Sequence, residues 1–79
     1  MGLKSETTSE VLAMLRDELA GELWAINQYQ VHIDAIDDPE VRRVLEHIQA
    51  DEREHVAELM GLILRLDKAQ AEKFEKEGL

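Results

Sequence analysis

The chain has 79 residues, 18 Asp and Glu against 9 Lys and Arg, a formal charge of −9 and no cysteine. This composition excludes disulfides, thiolate metal sites and iron–sulfur clusters, and it disfavours binding to nucleic acid or to an anionic membrane surface. No apolar run is long enough to cross a membrane and no leader precedes the first polar segment, so we expect a cytoplasmic protein. A chain this short buries a small core, so we also expect it to assemble with other subunits.

Two long helices are predicted first. Thr7, followed three residues later by a glutamate, has the form of a capping box, and a helix is expected over residues 8–36. A turn at 37–38 follows, because Pro39 cannot continue a helix but suits the first position of a new one. The second helix is expected over 39–66. Two helices of similar length joined by a tight turn form an antiparallel hairpin.

A short third helix is predicted at the end of the chain. Asp67 with Gln70 repeats the capping pattern, so this helix is expected over residues 68–76. The sequence shows no strand alternation, internal repeat or low-complexity tract. We therefore predict a single all-α domain spanning residues 1–79.

Both long helices carry an apolar heptad seam that ionisable residues interrupt near the middle. The predicted seam of the first helix is Leu12, Leu15, Leu19, Glu22, Ile26, Tyr29, Ile33 and Ile36. The predicted seam of the second helix is Val41, Leu45, Ile48, Glu52, His55, Leu59, Leu62 and Leu66. Because an antiparallel pair of equal helices brings its midpoints together, Glu22, Glu52 and His55 are expected to converge.

Ionisable side chains inside a hairpin need compensation, because an unpaired buried charge costs several kcal/mol. In one interpretation Glu22 and Glu52 lie at a partly open rim and pair with Arg53 or Arg65, while His55 is a satisfied core histidine. In the other, a metal cation satisfies all three groups at once. The E-x-x-H spacing of Glu52 and His55 favours the cation, because residues three apart lie on one side of a helix and can bind one ion.

One hairpin holds half of the ligand set with which a four-helix bundle binds a carboxylate-bridged metal pair. A symmetric dimer supplies the other half, and its four carboxylates balance the charge of two divalent ions. Carboxylate and imidazole ligands favour first-row metals such as iron, manganese or zinc. Apolar residues outside both predicted seams also indicate assembly: Met14, Leu23, Val44, Val56, Met60, Ile63 and Leu64.

Three segments of the sequence resemble the half-size members of the ferritin-like superfamily, especially the encapsulated ferritins associated with encapsulin shells. They are A-G-E-L-W-A-I-N-Q-Y, which contains Glu22 and Tyr29, the turn D-D-P-E, and D-E-R-E-H, which ends at His55. The resemblance covers residues 11–67. Order, spacing and turn all agree with that family.

The resemblance implies a hairpin that pairs with a second chain into a four-helix bundle, and dimers that assemble into a ring. It implies a ferroxidase, which oxidises Fe²⁺ with dioxygen at a di-iron centre between two chains and feeds iron storage inside an encapsulin shell. By position, the iron ligands would be Glu22, Glu52 and His55, with Glu52 the bridging carboxylate. Tyr29 would be a hydrogen-bonding group beside them, although a seam aromatic with a solvated hydroxyl is an equal interpretation.

Two other functions stay open at this point. The first is a non-catalytic, metal-stabilised helical assembly or adaptor module. The second is a di-metal peroxidase or oxygenase, which needs an electron donor that this chain does not supply through cysteine. Where some relatives place extra acidic residues beside the first-helix ligand to guide iron, this sequence has Gly21 and Trp24.

Overall fold

The computed structural model describes residues 7–79, which form three α-helices and no strand. Helix α1 spans Thr8–Ala35, α2 spans Pro39–Leu66 and α3 spans Lys68–Glu77. The all-α fold predicted from the sequence is therefore confirmed. Residues 1–6 of the predicted domain lie outside the described residues.

Short-range hydrogen bonds fix where α1 and α2 begin. Thr7 Oγ1 accepts a bond from the Glu10 amide at 3.1 Å, and the Thr7 amide donates to Glu10 Oε1 at 3.2 Å. At the start of α2, Asp38 Oδ1 accepts from the Val41 amide at 3.1 Å, and Pro39 is the first helical residue. These side chains satisfy amides that have no partner within the helix.

The ends of two helices differ by one residue from the predicted positions. Helix α1 ends at Ala35 because the backbone of Ile36 is extended, with φ −104° and ψ 130°. Helix α3 continues to Glu77, and Gly78 then ends it with φ 77°. That left-handed conformation favours glycine, and it lets the Leu79 amide donate to the Phe74 carbonyl at 2.8 Å.

Helices α1 and α2 form an antiparallel hairpin, and α3 contacts α2 but not α1 among the described residues. The buried apolar side chains of this region are Leu12 and Ile33 of α1 and Ile63 of α2. The buried polar residue is Gln49, which is 4% exposed. The hairpin core is therefore a narrow apolar seam with one amide side chain inside it.

Helix α2 packs against α1 through a face that is rotated from its predicted seam. Ile63 was expected outside the seam but is 3% exposed, and Val56 and Met60 are half-buried. Leu62 is 42% exposed, and the His55 side chain is 48% exposed. Apolar residues cover an arc of α2 wider than one seam, so the helix can bury Ile63 while His55 moves to the edge of the hairpin.

The fold is one layer of helices. Its extents are 47 × 41 × 14 Å, and the smallest is close to the roughly 10–12 Å diameter of a helix with its side chains. The radius of gyration is 16.5 Å, against about 12 Å for a compact domain of this length. Large apolar side chains remain exposed: Met14, Leu23, Trp24, Val31, Val41, Val44, Leu62 and Leu79.

This exposed apolar surface is scattered along charged helices and does not form a membrane-crossing segment. None of the helices in residues 7–79 combines the length and the hydrophobicity that a transmembrane helix requires.

Candidate metal centre

The middle of the hairpin brings together the three side chains that the sequence singles out. Glu22 comes from α1, and Glu52 and His55 come from successive turns of α2. One ligand atom from each lies within 4.8 Å of the other two. We call the side of the hairpin that carries these residues the open edge, since His55 is about half exposed there.

The separations between these atoms suit a shared cation. His55 Nδ1 lies 3.5 Å from Glu22 Oε1 and 3.7 Å from Glu52 Oε2, which is too long for good hydrogen bonds. Two donors that bind one ion at about 2.1 Å stand roughly 3.0–3.4 Å apart. Small side-chain movements would therefore let all three groups bind one first-row metal ion.

One oxygen of this group has no partner. Glu22 Oε2 is buried and makes no hydrogen bond, and no other buried side-chain nitrogen or oxygen in residues 7–79 shares that property. The Glu22 and Glu52 side chains are 22% and 18% exposed. Because a buried acceptor without a partner costs free energy, this oxygen is the observation that most favours a cation here.

Arginine pairing does not compensate these carboxylates in the single chain. Arg53 donates instead to Gln49 Oε1 at 3.2 Å. Within the described residues, no Lys or Arg lies within ion-pair distance of Glu22 or Glu52. The interpretation of a rim stabilised by arginine therefore finds no contact in this part of the chain.

Two clefts border the group of three. A cleft of about 440 Å³ is lined by Trp24, Ala25, Gln28, Tyr29, His32 and Glu52. A smaller cleft of about 220 Å³ is lined by Glu18, Glu22, His55, Glu58, Leu59 and Leu62. Both clefts lie open on the hairpin surface, so solvent and small solutes can reach the carboxylates and the imidazole.

Tyr29 lines the same cleft as Glu52, at the place where the sequence predicts a hydrogen-bonding group. None of the hydrogen bonds found among residues 7–79 involves its hydroxyl, so its predicted role stays a prediction. Asp51 Oδ2 lies 3.8 Å from His47 Nε2 on the same helix, and among residues 7–79 no such contact joins Asp51 to His55.

The sequence interpretation missed one functional candidate, the buried side chain of Gln49. Its signal was present, because Gln49, Val56 and Ile63 are spaced by heptads and form the stripe that α2 turns toward α1. Because Gln49 is polar, a pattern of apolar positions alone does not reveal this stripe.

An α-helical hairpin that holds two carboxylates and one imidazole on an open edge is half of a ferritin-like bundle. Fold and site together define a half-size ferritin-like protein. The chain belongs to the EncFtn-like family, whose model matches residues 3–77. This match confirms the resemblance to encapsulin-associated ferritin-like proteins.

Curated relatives carry names that agree with this family. The chain is 43% identical over 65 residues to the encapsulin nanocompartment cargo protein EncC of Myxococcus xanthus, which covers 82% of this chain and 50% of the relative. It is 37% identical over 67 residues to the ferritin-like-encapsulin shell fusion protein of Pyrococcus furiosus, a match that covers 85% of this chain and 19% of the relative. It is 32% identical, over an alignment of 82 positions including gaps, to the encapsulated ferritin-like protein of Rhodospirillum rubrum, a match that covers 91% of this chain and 59% of the relative.

The chain thus spans about half the length, or less, of most of the curated relatives it matches. No solved structure matches it significantly.

Proposed function

We propose that this protein is a ferroxidase, which binds Fe²⁺ between two copies of the chain and oxidises it with dioxygen. The observation that carries the proposal is the group formed by Glu22, Glu52 and His55, in which Glu22 Oε2 is buried without a partner. Two carboxylates and an imidazole are ligands that suit Fe²⁺, and no thiolate is present to favour a structural zinc site.

The proposal requires a second copy of the chain, because one hairpin offers too few ligands for two iron ions. Three donor groups leave an iron ion with open positions, and pairing two open edges gives four carboxylates and two imidazoles around two ions. Four negative charges then balance two Fe²⁺ ions. Leu62, which is 42% exposed and lines a cleft with His55, supplies apolar surface for the same contact.

The residues of the chain have distinct tasks in this proposal. His55 would hold iron through its imidazole, and Glu22 and Glu52 would hold it through their carboxylates, with Glu52 the candidate for sharing between two ions. Each Fe²⁺ loses one electron, and dioxygen accepts the electrons together with protons from water. Tyr29 lines the same cleft as Glu52, and its hydroxyl would serve as a hydrogen-bond donor there.

In our proposal the product, Fe³⁺, is stored inside an encapsulin shell in the cytoplasm, and the chain is a cargo protein of that shell. The names of its relatives support this, since they describe encapsulin cargo proteins and a fusion to an encapsulin shell. The single layer of helices formed by residues 7–79 is 14 Å in its smallest extent, which is too thin to enclose stored iron. Dimers arranged in a ring would oxidise iron and release Fe³⁺ to the shell interior.

An anaerobic titration with Fe²⁺ followed by exposure to dioxygen tests the proposal. We expect ferric absorbance to appear faster than in protein-free buffer. The titration curve should break at about one Fe²⁺ per chain, because two ions are shared by two chains. Replacing His55 by Ala should slow oxidation by more than about 100-fold, beyond the 10–100-fold cost of losing a group that merely orients a ligand.

The matched control is His47→Ala. His47 lies on the same helix two turns before His55, and its side chain is 75% exposed beside Asp51. This variant should oxidise iron at the parental rate. If Fe²⁺ binds but dioxygen oxidises it no faster than in buffer, the chain is a metal-stabilised assembly module and the ferroxidase proposal is wrong.

A further inference from the structure

A buried amide side chain lies one turn away from the candidate metal centre. Gln49 is 4% exposed and precedes Glu52 by three residues on α2. Its Nε2 donates to the main-chain oxygen of Ile26 at 3.0 Å and to Gln30 Oε1 at 3.1 Å. Both acceptors belong to α1, so one side chain connects the two helices through two hydrogen bonds.

Further hydrogen bonds hold this side chain in one orientation. Arg53 Nη1 donates to Gln49 Oε1 at 3.2 Å, and Gln30 Nε2 donates to Asp34 Oδ1 at 2.8 Å. Every polar atom of the Gln49 amide is therefore used, and the order of donors and acceptors permits neither amide to flip. We call the side of the hairpin formed by Gln30, Gln49 and Arg53 the closed edge.

The closed edge and the open edge lie on opposite sides of Glu52 around α2. Gln49 and His55 are six residues apart, which rotates their side chains by about 120°. On α1, Ile26 follows Glu22 by one turn. The hydrogen bonds of Gln49 therefore join the turn of α1 just after one candidate ligand to the turn of α2 just before the other two.

An apolar seam alone does not determine how two helices align along their axes. Leu, Ile and Val pack almost equally well after a small shift, whereas a buried amide loses its partners. A shift of one residue moves a helix by about 1.5 Å and turns it by about 100°. Such a shift would separate Glu22 from His55, which now lie 3.5 Å apart.

We propose that Gln49 is a positioning residue, which fixes the alignment of α2 on α1 and thereby holds Glu52 and His55 opposite Glu22. The consequence for iron rests on the proposed function, whereas the alignment of the helices does not. Gln49 contacts no ligand atom in this account and acts through the helix that carries two of them.

Distances between spin labels test the alignment without any metal. The chain contains no cysteine, so single cysteines at the exposed positions Ala20 and Ala57 give one label on each helix. The metal-free parent should give one narrow distance distribution. Replacing Gln49 by Leu keeps the side chain buried and should broaden the distribution or shift its maximum, because a one-residue shift moves a helix by about 1.5 Å and turns it by about 100°.

Cobalt binding gives a second readout. Co²⁺ should bind the Gln49→Leu protein at least about tenfold more weakly, with an altered ligand-field spectrum, as expected when a supporting group is lost. The control Ile63→Ala removes a side chain that is equally buried on α2 but two turns beyond His55. It should unfold more easily yet keep the parental label distances and the parental Co²⁺ spectrum.

The closed edge offers a second variant that leaves the buried position intact. Gln30→Leu removes the acceptor Oε1 of an exposed residue. It should change the label distances in the same direction as Gln49→Leu does, but by a smaller amount. If Gln49→Leu leaves distances and Co²⁺ affinity at parental values, or changes them no more than Ile63→Ala does, the positioning role is wrong. A parent that fails to oxidise iron contradicts the proposed function alone, because the label distances still decide the alignment.

Discussion

The two edges of the hairpin differ in whether their buried polar atoms have hydrogen-bond partners. At the closed edge the Gln49 amide uses all its hydrogen-bonding atoms within one chain. At the open edge, on the other side of Glu52 around α2, Glu22 Oε2 is buried without a hydrogen bond and His55 Nδ1 lies 3.5 Å from Glu22 Oε1. One edge is complete in a single chain, and the other keeps a buried oxygen without a hydrogen bond beside a half-exposed histidine.

The difference shows which parts of this fold a single chain can stabilise. Neutral amides can satisfy each other inside a helix pair, so the closed edge adds specificity at modest cost. Two carboxylates cannot neutralise each other, and in our proposal a cation supplies the positive charge that balances the open edge. Leu62 and Trp24 are exposed near it, and in our proposal a second chain covers this apolar surface.

The largest effect is expected from a charge placed on the open edge. Replacing Leu62 by Glu should leave the hairpin folded but weaken pairing of two chains by more than about 100-fold, because an unpaired charge would be buried between them. Sedimentation velocity in the presence of Zn²⁺ measures this. Val31→Glu is the control, since Val31 is 61% exposed and lines neither cleft, and equal weakening by both changes would contradict the assignment of the open edge.

Opposite signs of stability change should distinguish the two edges. Replacing Gln49 by Ala should lower the free energy of unfolding by about 1–3 kcal/mol, since it breaks a satisfied buried network. Replacing Glu22 by Ala in metal-free protein should leave that free energy unchanged or raise it, because a buried carboxylate oxygen that has no hydrogen bond is removed. Urea unfolding with a chelator present measures both, and a clear loss of stability in the Glu22 variant would contradict an uncompensated site.

A smaller effect is expected at Gly61, away from both edges. An added methyl group meets open space there, so Gly61→Ala should stabilise the helix by about 1 kcal/mol through backbone entropy. The midpoint of urea unfolding measures this gain. A destabilised variant would indicate that another part of the assembly packs closely against Gly61.

The smallest effect concerns the end of the hairpin that lies nearest α3. A hydrogen bond from the Gln70 amide, and then the Arg16 guanidinium at 2.7 Å, lower the pKa of the Asp67 carboxyl. A lowered pKa gives stability that is complete above the unfolded value of about 3.9 and is lost as the pH falls through the folded value.

Asp67→Asn isolates this charge, because asparagine also caps a helix. The melting temperature of the parent should exceed that of the variant at neutral pH, and the difference should disappear in strong acid. A difference that persists unchanged below the lowered pKa would show that the charge of Asp67 does not stabilise the fold.

Much of the fold was predictable because it rests on local signals. The capping residues Thr7, Asp38 and Asp67 and the helix-starting Pro39 placed the helix boundaries within one residue. The convergence of Glu22, Glu52 and His55 followed from the equal lengths of two antiparallel helices, although their role as iron ligands stays a prediction.

The face of α2 that contacts α1 could not be derived in the same way. Two overlapping stripes run along that helix, one containing Leu62 and the other Ile63, and either could face α1. What distinguishes them is Gln49: its heptad spacing with Val56 and Ile63 can be read from the sequence, but its hydrogen bonds to α1 depend on the three-dimensional contact. The same rotation moves His55 from the predicted core to the open edge.

The claim that the open edge is half of a metal centre is tested most directly by anaerobic native mass spectrometry of the chain titrated with Fe²⁺. We predict that metal-free protein is mainly monomeric at low concentration, and that Fe²⁺ produces even-numbered assemblies with about one ion per chain. The Glu22→Ala protein should remain metal-free and mainly monomeric under the same conditions. Monomers that carry iron tightly, or assemblies whose size does not depend on iron or on Glu22, would contradict it.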